Sequence, residues 1–93
     1  MFIHLAIHLP KAGKAELIID SMHRFGAMLK EQPGFQQVYT LRDQKSDRLV
    51  GLALWDSKTD VLAARPAMMA ATQNDPFDEW EDNPPEVFHL EII

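Results

Sequence analysis

Three histidines stand where paired strands would bring them together. His4 and His8 lie four residues apart in the alternating run Phe2 to Leu9, and His89 lies in a second alternating run that closes the chain, with Glu91 two residues further on. In an extended chain, residues of like parity share a face. If the first and last runs pair antiparallel, His89 and Glu91 fall beside His4 and His8. Imidazole is the side chain that exchanges a proton near neutral pH, so this face is a candidate for general base chemistry. His4 or His8 would be the base and His89 its partner. Phe35, Gln37, Tyr39 and Trp55 come from a central hairpin and are expected on the same face: Trp55 and Phe35 as flat walls for a ring, Tyr39 as a donor to a substrate oxygen. A metal centre is not expected. Residues i and i+4 of a strand are about 13 Å apart, too far to share an ion. A set of His4, His89 and Glu91 would need a coincidence of register. The chain has no cysteine, which removes thiolate ligands and nucleophiles.

The elements that must position these groups read as follows. Phe2 to Leu9 is a strand ended by Pro10, with Ile3, Leu5, Ile7 and Leu9 on one face and Phe2, His4, Ala6 and His8 on the other. Lys11 to Gln32 is helical, with Ile18, Met22, Phe25 and Leu29 at helical spacing. Pro33-Gly34 stops it. Phe35 to Arg42 and Arg48 to Trp55 are strands joined by the polar turn Asp43 to Asp47. Ser57-Lys58-Thr59-Asp60 is a capping box, and the helix it opens runs past Met68 to Thr72, with Pro66 predicted to kink or restart it. Asp75-Pro76 reads as the cap and first residue of a short turn through Trp80, within an acidic stretch, Asp75 to Asp82, expected to be a solvated loop with apolar anchors. Glu86 to Ile93 is the last strand.

Centring the hairpin on Gln44 to Ser46 sets Leu41 opposite Leu49, Tyr39 opposite Gly51, Gln37 opposite Ala53 and Phe35 opposite Trp55; a bulge would shift this register. Tyr39 would then cover the bare backbone at Gly51. The order β-α-β-β-α-β predicts an α+β, ferredoxin-like fold: a four-stranded antiparallel sheet ordered 4-1-3-2 with the helices on one face. Residues 1–93 are expected to form a single domain. Leu49 to Trp55 is apolar on both faces, so the face without helices calls for a cover, and a homodimer packed sheet to sheet is the simplest. We expect the aliphatic face to be that interface and the mixed face to look into a pocket under the helices, although parity alone leaves the direction open.

A formal net charge of −5 gives no basic surface for phosphates, and no nucleic-acid partner is expected. The short N-terminal apolar run lacks a basic leader, and no run approaches a membrane span, so a cytoplasmic location with no membrane partner is expected.

Over its whole length the chain resembles the antibiotic biosynthesis monooxygenase superfamily of dimeric α+β barrels. The resemblance rests on Gln32-Pro-Gly-Phe35, on Leu54-Trp55-Asp-Ser57-Lys58 after the hairpin, and on Phe88-His-Leu-Glu-Ile92. It implies a homodimer sharing a barrel, with a pocket in each subunit between sheet and helices. It also implies an oxygenase without a bound cofactor, in which a base deprotonates a phenol or quinol and the anion passes an electron to O2 in an apolar site. The chain departs from the oxygenase pattern. Trp55 is matched, but Gly51 stands where an Asn is common four residues earlier, and Ala63-Ala64-Arg65 replaces a frequent helical His. The haem-degrading branch uses residues for which this chain offers Ala6, Ala63-Ala64 and Gln73, so haem chemistry is not implied.

The plainer reading keeps the same fold without the reaction. The histidines are then half-buried strand residues satisfied by Glu91, Gln37 or backbone, and Trp55 is a core residue. Methionines at helical spacing fill the core. The protein would be a non-catalytic small-molecule-binding or stress-associated homodimer taking a small apolar or aromatic ligand.

Overall fold

The computed structural model describes residues 1–93. In chain order the elements are β1 (Phe2–His8), α1 (Ala15–Leu29), β2 (Phe35–Arg42), β3 (Leu49–Trp55), α2 (Lys58–Thr72), α3 (Phe77–Trp80) and β4 (Glu86–Glu91). The sheet is ordered β2-β3-β1-β4 with every neighbour antiparallel. It is the α+β arrangement predicted from the element order, and the short α3 is the third helix. No helix is long and apolar enough to cross a membrane.

The register of the outer hairpin differs from the symmetric one. An irregularity between Phe35 and Gln37 slips β2 by one residue, so Gln37 faces Leu54, Val38 faces Ala53, Tyr39 faces Leu52 and Thr40 faces Gly51. Since side chains alternate, this slip exchanges the two faces of β2 beyond Phe35. Val38 turns toward the helices, where it packs on the core. Gln37 and Tyr39 move to the other side. Tyr39 therefore does not cover Gly51. That space belongs to Met22 of α1, whose methyl would lie 3.3 Å from a Cβ at Gly51.

The helices cover the face carrying Leu49, Ala53 and Trp55, all buried. One core cluster joins Leu29, Ala53, Trp55, Val61, Ala64 and Met68; a second joins Ile18, Met22, Leu49 and Trp80. On the opposite face Phe88 and Leu90 remain 40% and 42% exposed, beside half-buried Leu5, Val50, Leu52 and Leu54.

Local chemistry sets the element ends. Gly34 has φ +81°, and the Asp60 side chain packs against its α-carbon where a Cβ would otherwise sit. Ser57 caps α2 by accepting from the Asp60 amide at 3.3 Å. The Asp60 carboxylate accepts from the Ser57 hydroxyl at 2.9 Å. α2 is one helix from Lys58 to Thr72 with Pro66 inside it, so of the expected kink or restart the restart does not occur. Pro66 can donate no hydrogen bond to the carbonyl of Leu62, but Leu62 is exposed and water can serve that oxygen. Asp75 does not cap α3. Its carboxylate is taken by the Ser21 hydroxyl at 2.6 Å and by Arg24 at 3.0 Å, and Pro76 occupies the cap position.

Candidate active site

Between the helices and the sheet lies a cavity of about 580 Å³. This is within the range of small-molecule sites, about 300–1,000 Å³. Its floor is β1 with β3 and β4, where Ala6, Gly51 and Ala53 supply little volume. Its walls include Met22, Phe25 and Leu29 of α1, Val61, Met68 and Met69 of α2, and Phe77 of α3. The lining is mostly apolar. The titratable side chains bordering it are His4, His8, His89, Arg65 and, by its place in β2, Tyr39.

Strand pairing explains the histidines. His4 and His89 are direct partners across β1 and β4, with ring centroids 5.2 Å apart. Burial, and secondarily the neighbouring His89, hold the His4 imidazole below its ordinary value. His4 is thus a neutral ring at pH 7, with a lone pair free to accept a proton or a hydrogen bond. The sign for stability follows. The unfolded chain binds a proton at His4 more readily than the folded one, so acidification below about 6.5 removes stability until the depressed folded value is passed. His4→Gln is expected to lessen that loss of thermal stability in acid, read from unfolding curves at a series of pH values.

His8, at the far end of β1, is the most buried of the three at 8% exposed. Its Nδ1 lies 3.2 Å from both carboxylate oxygens of Glu81, itself only 2% exposed. Glu81 also accepts from the amide of Leu9 at 3.1 Å. The ring of Phe77 stacks beside His8, centroids 6.0 Å apart.

The other side chains that pattern reading brought to this face go elsewhere. Trp55 is 0% exposed and does not border the cavity; it is core, with Phe35 edge-on against it at 5.7 Å. Gln37 is exposed on the far face of β2. Tyr39 has the parity of Gln37 rather than Val38, yet it still borders the cavity. Glu91 pairs with Phe2 at the exposed end of β4, away from the lining. Neither Gln37 nor Glu91 satisfies a histidine. Glu81 does, and the Asp75 to Asp82 stretch is correspondingly not a wholly solvated loop. Pattern reading missed Glu81, which lies just after Phe77 and Trp80, both of which pack inward. No group of three His, Asp or Glu side chains converges to hold a metal ion.

Solved structures share this architecture at low sequence identity. A candidate antibiotic biosynthesis monooxygenase of Nitrosomonas europaea superposes with a TM-score of 0.85 at 16% identity, over 100% of this chain and 99% of the other. SnoaB, a cofactor-independent oxygenase of Streptomyces nogalater, gives 0.81 at 17% identity, over 99% of this chain and 92% of its own. Rv0793 of Mycobacterium tuberculosis gives 0.85 at 13% identity, over 99% and 94%. No family model and no curated protein sequence matches the chain. The cavity and its histidines are thus carried on the four-stranded α+β fold of the antibiotic biosynthesis monooxygenase structures.

Proposed function

We propose that this chain forms a one-domain, homodimeric monooxygenase that works without a bound cofactor on a hydroxylated aromatic ring. The observation that carries the reading is an apolar cavity of ligand size with a histidine at each end, one of them held by a buried carboxylate. SnoaB, a cofactor-independent oxygenase of the same fold, supports it.

In this mechanism the ring enters between the methionine and phenylalanine walls and its hydroxyl meets His8. The imidazole takes the phenolic proton. The anion passes one electron to O2, and the two radicals combine into a ring peroxide. Loss of water from the peroxide leaves a carbonyl on the ring. One oxygen atom enters the product and the other leaves as water, and the substrate supplies all the electrons, so no external reductant is consumed. Because neutral His4 and its partner His89 lie at the other end of the cavity, they accept from a second polar group of the ring system. The apolar lining shields the radical pair from water.

The test is O2 uptake by purified protein over a panel of quinols and naphthols, with the quinone product identified. Uptake stoichiometric with a quinone that has gained one oxygen atom from O2, without release of hydrogen peroxide, supports the reading. Absence of uptake with every ring would sink it; if rings nevertheless bind, the chain is a carrier or sensor of apolar rings.

The uncovered aliphatic face supports the dimer reading. Leu5, Val50, Leu52, Leu54, Phe88 and Leu90 form a contiguous apolar surface, which a second copy would bury. Leu52→Asp is expected to halve the mass seen by light scattering; an unchanged mass would place the interface elsewhere.

A further inference from the structure

We propose that Glu81 is the positioning residue of the site, fixing His8 in the one tautomer that presents a proton-accepting nitrogen to the cavity. The inference rests on the reading of His8 as the base and adds a residue to it.

An ionised carboxylate only accepts hydrogen bonds. Both oxygens of Glu81 lie 3.2 Å from Nδ1 of His8, so in the neutral ring the proton belongs on Nδ1. The lone pair is then on Nε2, which has no protein partner, while the ring borders the cavity. Once His8 has taken a substrate proton, the same carboxylate faces an imidazolium and stabilises it.

Glu81 is itself held on several sides. Its Oε1 accepts from the Leu9 amide at 3.1 Å, and its own amide donates to the Phe77 carbonyl at 2.8 Å. Its backbone bridges to Pro10, and next to that bridge the Lys11 amide donates to the Trp80 carbonyl at 2.7 Å. The carboxylate therefore sits on a braced segment, and its aim is set before any ligand arrives. A buried carboxylate is costly unless it is hydrogen-bonded and partnered. A neutral amide side chain could satisfy the Leu9 amide equally well. What the carboxylate adds is an acceptor that cannot donate, which excludes the opposite tautomer of His8.

The experiment is nitrogen NMR of the full-length protein labelled at histidine, recorded at alkaline pH where the rings are neutral. Wild-type His8 is expected as the Nδ1–H tautomer. In Glu81→Leu it should revert mainly to the Nε2–H form that free imidazole prefers. Glu81→Gln, whose amide can either accept or donate, should give a mixture and keep the fold if the leucine variant does not. In the naphthol and quinol assay, Glu81→Leu should lower kcat about 10²-fold or more with little change in KM, and Glu81→Gln should recover part of it. A wild-type His8 found as Nε2–H would overturn the proposal, as would a tautomer unmoved in both variants. The tautomer readouts need no turnover. If no ring is oxidised, the oxygenase reading fails while the tautomer still decides the role of Glu81.

Discussion

His8→Ala is expected to lower kcat by about 10²–10⁴-fold, the usual contribution of a positioned general base. The argument is geometric. Of the three cavity histidines, His8 is the one whose ring is fixed by an acceptor that leaves the other nitrogen free. His4 is neutral but has only another imidazole beside it. Its loss should weaken ring binding more than turnover, so His4→Ala raises KM and spares most of kcat. Removing His8 also leaves Glu81 buried with one partner fewer, at about 1–3 kcal/mol. His8→Asn is therefore the companion variant, because its amide nitrogen can occupy the position of Nδ1 and still donate to Glu81. Loss of O2 uptake in both variants, with unchanged circular dichroism in the asparagine form, assigns the base to His8. Full activity in His8→Asn, with loss in His4→Ala, would move it to the other end of the cavity.

The second large effect is on stability. Trp55→Ala should cost about 3–5 kcal/mol, the range for truncating a fully buried aromatic residue. Trp55 joins β3 to α1 and α2 through Leu29, Val61, Ala64 and Met68, so its removal opens a void where sheet and helices meet. Trp55→Phe is expected to cost much less. It keeps an aromatic ring against Phe35 and removes an indole N–H that is buried without a hydrogen-bond partner. Urea unfolding midpoints measure both. The same pair separates core from wall: if Trp55→Phe turns substrate over at the wild-type rate, the indole takes no part in binding the ring. A loss of affinity in Trp55→Phe without loss of stability would restore the wall.

These two residues also mark how far the sequence could be read. Strand parity in β1 and β4 was legible because alternation has one solution once the strands pair. It put His4 beside His89, as the register has them. The hairpin was less legible because one extra residue near Phe35 reverses the parity of the rest of β2, and no turn signal announces it. Gln37 was lost to the site for that single reason, while Tyr39, of the same parity, still borders the cavity. Trp55 kept its parity, but parity gives a face and not a depth. Whether a residue of that face meets cavity or core depends on which helix side chains descend on it. Glu81 was illegible for another reason. Among Asp75, Asp78, Glu79 and Asp82 it looks like one more solvated charge, and only the return of the chain to the end of β1 makes it different.

That return has a consequence for folding. His8 and Glu81 are 73 residues apart in a chain of 93. Closing so long a loop costs chain entropy before the contact repays it, so this contact is expected to form after the local helices and the hairpin. The hairpin can pair and α1 can coil while His8 still lacks its carboxylate. The candidate base is therefore assembled by the closing of the chain rather than by any local motif. A nascent or partly unfolded molecule holds an undirected imidazole, and only the completed fold holds an aimed one. The tautomer of a single histidine would then report, in a refolding experiment, the moment at which the segment after α3 has closed on the end of β1.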